Sequence, residues 1–264
     1  MIPISELPNR APHTLRGLAF DLDDTLLDHG RLSEAAYSSL FRLREAGFES
    51  YAVTGRPAGW AAVIARQWPI DGAVAENGAL AFVMDGRALR TIDAVSESER
   101  AARQTALAAL VAEVRKQFPD LAPADDVPLR RADFTFDIGE QYQVPKERVR
   151  EVQNFAEARG ACTIASSVHL HLSFDRDDKA SGVVRLIQKL RGVDPSQILS
   201  RYAFIGDSEN DAACFAAFRH SIGVANLSGR ATLTPRYRTT RERGAGFVEA
   251  VNALIAAGLE VPPR

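Results

Sequence analysis

The segment Leu18-Ala19-Phe20-Asp21-Leu22-Asp23-Asp24-Thr25-Leu26-Leu27 constrains this chain more than any other. A short apolar run meets three carboxylates within four positions. The run reads as a buried strand, and the acids fall where it ends. In parallel sheets, ligands gather just beyond the carboxyl ends of the strands. Carboxylates crowded in this way repel one another unless a cation lies among them or one of them holds a proton.

The chain around that segment alternates. Residues 15–21 read as a strand and Leu32–Ala46 as a helix, with Ser33 as its cap and Gly47 as its stop. Phe48–Val53 reads as the next strand and ends at Thr54-Gly55-Arg56-Pro57. Pro57 suits the first turn of a helix running through Trp60, Ile64 and Trp68. The strand Gly72–Ala75 leads into the turn Glu76-Asn77-Gly78-Ala79, and Leu80–Met84 comes next as a hairpin arm. Later, Asp177-Asp178-Lys179 opens a helix to about Leu190, and Tyr202–Ile205 reads as a strand stopping at Gly206-Asp207-Ser208-Glu209-Asn210-Asp211. A helix through Phe215, a strand Ser221–Ala225, a small strand at Thr239-Thr240 and a helix Gly246–Ala257 complete the pattern. This alternation predicts an α/β fold with a Rossmann-like parallel sheet.

The middle of the chain differs. Ser96–Phe118 has one long helical pattern, and Pro119, Pro123 and Pro128 interrupt the stretch after it. Ala132–Ile138 and Val168–Phe174 alternate apolar and polar residues, Ala161–Ile164 reads as another strand, and Pro145–Arg159 reads as a helix. Alternation suits an antiparallel sheet covered on one face. Residues 85–175 are therefore expected to form an inserted α+β cap domain, with 15–84 and 176–264 as the core. Residues 1–14 hold Pro3, Pro8 and Pro12 and are expected to form an extended tail.

Composition excludes several classes. With 46% hydrophobic and 25% charged residues the chain has globular composition. A net charge of −2 offers no basic excess for nucleic acid. No apolar run is long enough for a membrane span, and no leader pattern opens the chain. Cys162 and Cys214 lack metal-ligand spacing and read as reduced thiols, which points to a cytoplasmic protein.

Four clusters fall at core strand ends or at a helix start: Asp21/Asp23, Thr54-Gly55-Arg56, Lys179 and Asp207/Asp211. One sheet edge would bring all four into one crevice. Hard oxygen ligands with a lysine and a hydroxyl suit Mg²⁺ and phosphoryl transfer. A positioned Asp can attack phosphorus, and a second Asp two residues on can act as general acid and base. Lys179, at a helix N-terminus, would join the dipole in attracting an anion.

Asp21-Leu22-Asp23-Asp24-Thr25, Thr54 after its strand, Lys179, and Gly206–Asp211 resemble, in order and spacing, the four motifs of the haloacid dehalogenase-like (HAD) phosphatases. The insertion between the Glu76–Ala79 turn and Lys179 resembles that of the type IIB, Cof-like group, which includes phosphatases of sucrose phosphate and mannosyl-phosphoglycerate. The resemblance implies a Mg²⁺-dependent phosphomonoesterase acting on a small phosphorylated metabolite such as a sugar phosphate. Asp21 would be the nucleophile and a metal ligand. Asp23 would be the acid/base, with its backbone carbonyl on the metal. Thr54 and Lys179 would hold the phosphoryl group with help from the Gly55 backbone, and Asn210 would contact phosphate or orient Lys179. Asp207 would be a metal ligand, and Asp211 would support the metal site directly or through water. Asp24 departs from the pattern, standing where the family usually has Gly.

Other residues have competing readings. Arg56, Glu76, Asn77, His169 and His171 are candidates for substrate contact. The plainer reading is favoured in each case: helix packing for Arg56 and Trp60, a turn for Glu76 and Asn77, and a solvated strand face for the histidines. Arg130 and Arg131 would meet an anionic substrate or lie in a surface loop. Transfer to a sugar acceptor, as in a mutase, is the alternative enzyme. The short stretch between Thr25 and Thr54 counts against it, because mutases of this superfamily mostly carry a helical cap there. A non-catalytic phosphate-binding module would be expected to lack one of the reactive groups, yet all are present. Dehalogenation has no need of Asp23, and a receiver domain would lack the insertion.

Overall fold

The computed structural model describes residues 1–10, 15–166, 168–227 and 232–258. The strands, in chain order, are β1 (Ile2–Pro3), β2 (Gly17–Phe20), β3 (Glu49–Val53), β4 (Gly72–Ala75), β5 (Leu80–Asp85), β6 (Ala88–Asp93), β7 (Asp133–Asp137), β8 (Cys162–Ala165), β9 (His169–Ser173), β10 (Tyr202–Gly206), β11 (His220–Gly223) and β12 (Tyr237–Arg238). The helices are α1 (Leu7–Arg10), α2 (Glu34–Glu45), α3 (Ala58–Gln67), α4 (Glu97–Gln117), α5 (Lys146–Glu157), α6 (Lys179–Arg191), α7 (Pro195–Arg201), α8 (Ala212–Ala217) and α9 (Arg243–Ala257).

A nine-stranded sheet has the order β1-β12-β11-β10-β2-β3-β4-β5-β6. Pairing is parallel from β1 to β4 in that order and antiparallel for β4-β5 and β5-β6. From β2 the chain moves outward through β3 and β4, then returns to β10 on the other side. The order reverses between β2 and β10, and a crevice opens at such a switch point beyond the strand ends.

Two cores sandwich the sheet. On one face Leu18, Phe20, Ala52 and Ile205 meet Leu40 and Leu43 of α2, Ile64 of α3 and Phe247 of α9. On the other, Ala19, Tyr51, Val53 and Phe204 meet Val183 and Leu186 of α6, Ile198 of α7 and Phe215 of α8. Each buried Leu, Ile or Phe contributes about 1.5–3 kcal/mol, so both helical layers are fixed by the strands between them.

The small sheet, β7-β9-β8, is antiparallel. Phe136, Leu170 and Leu172 pack with Leu110 and Val114 of α4 and Val152 of α5. The alternate residues Asp133, His171, Cys162 and Ile164 point the other way and line an open cleft facing Glu76 and Asn77. Arg100, itself buried, bonds Asp93 at 2.7 Å and Asp175 at 2.5 Å. It ties the stretch leaving the large sheet to the stretch returning to it.

Three local expectations are corrected. Residues 2–10 are not an extended tail: Ile2 pairs with Tyr237 at the sheet edge, and Ile4 and Leu7 are buried in the core. Positions 11–14 of that expected tail lie outside the described residues. The last strand is Tyr237–Arg238 rather than Thr239-Thr240, and the sheet continues past Met84 through β6 to Asp93.

Candidate active site

Parallel register decides which side chains meet. Phe20 pairs with Ala52 and with Ile205, so Asp21, Thr54 and Asp207 emerge near one level of the sheet edge. Asp21 N–H donates to the Ile205 carbonyl, and Thr54 N–H to that of Val74, which fixes both at their strand ends. Lys179 arrives on the first turn of α6, capped by Asp178 and Ser181 in a reciprocal box. A Cβ on Gly78 would fall on the Asp178 carbonyl, so glycine lets α6 approach the end of β4.

Lys179 Nζ donates to Asp21 Oδ1 and to Asp211 Oδ1, each at 2.7 Å. All three side chains are buried. Asp211 Oδ2 also accepts from the Asp207 N–H at 3.0 Å and the Ser208 N–H at 3.2 Å. A Cβ on Gly206 would overlap that carboxylate, so only glycine fits. Asp207 is less engaged, accepting from Thr25 Oγ1 at 3.5 Å and Asn226 Nδ2 at 3.4 Å. Carboxylate oxygens of Asp21, Asp207 and Asp211 lie within 4.8 Å of one another. Among the described residues this is the single such group that includes three potential ligands.

The charges do not balance. Burial pushes the Asp21 carboxyl well up; Lys179 opposes that, and Asp211, Asp207 and Asp23 add to it. Burial and Asp211 push Asp207 up to about 7. Burial works against the Lys179 ammonium, but Asp21 and Asp211 outweigh it and raise its pKa. One ammonium among three carboxylates leaves an excess of negative charge in a low-dielectric site.

Asp23 is turned out of this cluster. Arg56 grips it through both oxygens, with Nε at 3.0 and 2.9 Å and a terminal nitrogen at 2.6 Å. The guanidinium also stacks 4.3 Å above the Trp60 ring. Asp24 has φ 53°, the left-handed region that glycine occupies freely and Asp tolerates. Its carboxylate pairs with Arg243 at 3.1 Å, and its carbonyl accepts from Asn226 at 2.9 Å.

Thr54 is buried, and its Oγ1 accepts the Arg56 N–H at 3.0 Å, which leaves its hydroxyl proton to donate elsewhere. The Gly55 carbonyl accepts from Arg130 at 3.1 Å. Asn210 donates to Asn77 at 3.0 Å and makes no bond to Lys179. Glu76, with φ 49°, accepts the N–H groups of Ala58, Arg131, Ala132 and Asp133 at 2.5–3.0 Å. Burial and then Asp133 push its carboxyl up to about 7. His171 Nδ1 lies 2.8 Å from Asp133 and His169 Nε2 lies 2.9 Å from Glu140, so each ring meets a carboxylate other than those of the acid cluster. His171 reaches the cleft beside Glu76 and Asn77.

Sequence reasoning missed Asn226 and Asp133. Asn226 lies just past the end of β11, so the strand-end rule that singled out Asp207 applies to it as well. Asp133 binds Arg130 and His171 together, and no local pattern signals that.

Residues 18–104 match the haloacid dehalogenase-like hydrolase family. A phosphoglycolate phosphatase of Methanothermobacter thermautotrophicus is 28% identical over 239 residues, covering 90% of this chain and 97% of its own. The crystal structure of Thermoplasma acidophilum 0175 superposes with a TM-score of 0.74 at 20% identity, covering 92% of this chain and 100% of that one. The sucrose-phosphatase of Synechocystis, solved with sucrose and phosphate, has a TM-score of 0.65 at 18% identity over 91% of this chain and 97% of its own. The two structures share this chain's fold.

Proposed function

We propose that this chain, a haloacid dehalogenase-like hydrolase, is a phosphomonoesterase that removes the phosphate of a small phosphorylated metabolite through an aspartyl-phosphate on Asp21. The observation that carries this reading is the meeting of buried Asp21, Lys179 and Asp211 with half-buried Asp207 in one cluster, with Thr54 at the same sheet edge. The phosphoglycolate phosphatase name of the full-length relative supports the reaction class.

The donor set fits Mg²⁺. The clustered groups are hard oxygens in negative excess. Asp211 has both oxygens engaged, by Lys179 and by backbone N–H groups, so it serves as a strut. Asp21 and Asp207 would hold the ion, with the Asp23 backbone carbonyl. When bound, the ion supplies positive charge that lets a carboxylate approach a phosphate dianion.

The chain's own groups account for the remaining steps. Two Lys179 protons are taken by Asp21 and Asp211, and the third is free for a phosphoryl oxygen. The Thr54 hydroxyl donates to a second phosphoryl oxygen. Asp21 attacks phosphorus, the bond from phosphorus to the ester oxygen breaks, and the departing oxygen takes a proton from Asp23. Asp23 then takes a proton from water as that water attacks phosphorus, which returns Asp21 as a carboxylate and releases phosphate. The segment bearing the small sheet faces this edge across the cleft and acts as a cap that chooses the substrate. No described helix is long and apolar enough to cross a membrane.

The test is phosphate release across a panel of phosphoglycolate, sugar phosphates, nucleotides and flavin phosphates, with and without EDTA. Release from at least one ester, lost on chelation and restored by Mg²⁺, is expected. No release from any, or full activity in excess EDTA, contradicts the reading or its metal.

A further inference from the structure

The Arg56–Asp23 pair poses a mechanistic problem. Both Asp23 oxygens accept from the guanidinium, so while the pair holds neither can offer a proton to a departing oxygen. The pair is built in from both sides. Arg56 is stacked on Trp60, and its own N–H is fixed on Thr54 Oγ1, the hydroxyl expected to hold phosphate. Its side chain is 22% exposed against 50% for Asp23, so the arginine is the seated partner and the aspartate the movable one.

We propose that Arg56 is the specificity-determining residue, and that a carboxylate on the substrate's leaving group displaces Asp23 from it. This rests on the phosphatase reading of the same site. The exchange is like for like. A second carboxylate satisfies the same planar fork, so the guanidinium loses no hydrogen bonds. In this exchange two anions trade places on one cation and no covalent bond changes. Asp23, set free beside the site it leaves, then takes a proton from solvent, swings to the ester oxygen and passes that proton to it as the bond to phosphorus breaks. An ester of a 2-hydroxy acid fits, because its carboxylate stands one carbon from the ester oxygen and reaches Arg56 while that oxygen faces Asp23. A substrate without the second anion leaves Asp23 held and is turned over slowly. Arg56 thereby makes the chemistry conditional on the right leaving group.

The experiment compares kcat and KM for 2-phosphoglycolate and ethyl phosphate, in the wild type and in Arg56→Lys, with Mg²⁺ present. The wild type should prefer the carboxylated ester by about a hundredfold in kcat/KM, with much of the difference in kcat. Lysine keeps the charge but not the fork, and the preference should fall by at least about tenfold. Equal kcat/KM for the two esters in the wild type, or loss by the same factor on both in Arg56→Lys, overturns the proposal while leaving the phosphatase reading intact. Release from neither ester in the wild type, with no activity on any other phosphate ester, fails the phosphatase reading and the proposal with it.

Discussion

Lys179 Nζ sits 2.7 Å from Asp21 Oδ1, a contact between residues 158 positions apart that the β2 end and the first turn of α6 make together. The ammonium is buried and shared with Asp211. Removing it leaves two buried carboxylates facing each other without compensation, a kind of loss that costs about 3–5 kcal/mol. Lys179→Met is therefore expected to lower the urea midpoint of the metal-free protein and to abolish turnover. An unchanged midpoint would show that the carboxylates do not depend on this ammonium.

The acid cluster also sets a pH dependence. The folded pKa values of Asp207 and Glu76, each raised to about 7, lie above their ordinary values of 3.8 and 4.5. The folded protein then binds more protons than the unfolded one across that interval. Stability of the metal-free protein is thus expected to be greatest near the low end and to fall as pH rises through about 7. Mg²⁺ binds the deprotonated carboxylates, so the Tm gain it gives should grow between about pH 5 and pH 8. Thermal unfolding with Mg²⁺ or EDTA across that range checks this, and a gain that does not vary with pH would count against it.

Glu76 joins the two sheets. Its carboxylate accepts three successive N–H groups at the start of β7 and one at the start of α3. Glu76→Ala leaves those donors without their acceptor, at roughly 1–3 kcal/mol for a buried one. Hydrogen exchange at residues 131–133 should speed up in that variant, while exchange in β2 and β10 stays slow. Equal acceleration in both places would mean that Glu76 supports the whole fold rather than this junction. Glu76→Gln keeps one carbonyl acceptor, and it should remove part of the fall in stability with rising pH.

Asp24 pays for a left-handed backbone that glycine adopts freely, yet it holds Arg243 at 3.1 Å. Strain relief of about 1 kcal/mol and loss of a half-exposed ion pair of about 0–1 kcal/mol oppose each other. Asp24→Gly should therefore leave Tm nearly unchanged and keep phosphatase activity. A large loss of activity would give Asp24 a part in the chemistry.

The legible and illegible parts of the sequence divide along physical lines. Strand-ending acids announce themselves locally, so Asp21, Thr54 and Asp207 were visible as strand ends, and the α/β alternation predicted the parallel sheet that aligns them. The odd residue at Asp24 found its reason in a backbone angle that glycine adopts freely. Contacts that depend on docking were not legible. Ile2–Pro3 is a two-residue edge strand rich in proline, and only burial of Ile4 and Leu7 shows that it belongs to the fold. Glu76 looked like part of a tight turn, which it is, but its carboxylate serves a segment 55 to 57 positions away. Arg56 was a helix-start residue in the sequence; its hold on Asp23 appears only when β2 and β3 lie side by side.

In the proposed reaction Asp21 carries the phosphoryl group. Acid-quenched enzyme, mixed with a substrate ester and Mg²⁺ and digested, can be weighed peptide by peptide. A phosphoryl increment on the peptide containing Asp21, absent from Asp21→Asn that has kept its fold, is the predicted result. The same increment persisting in Asp21→Asn, or phosphate release undiminished in that variant, would contradict the account.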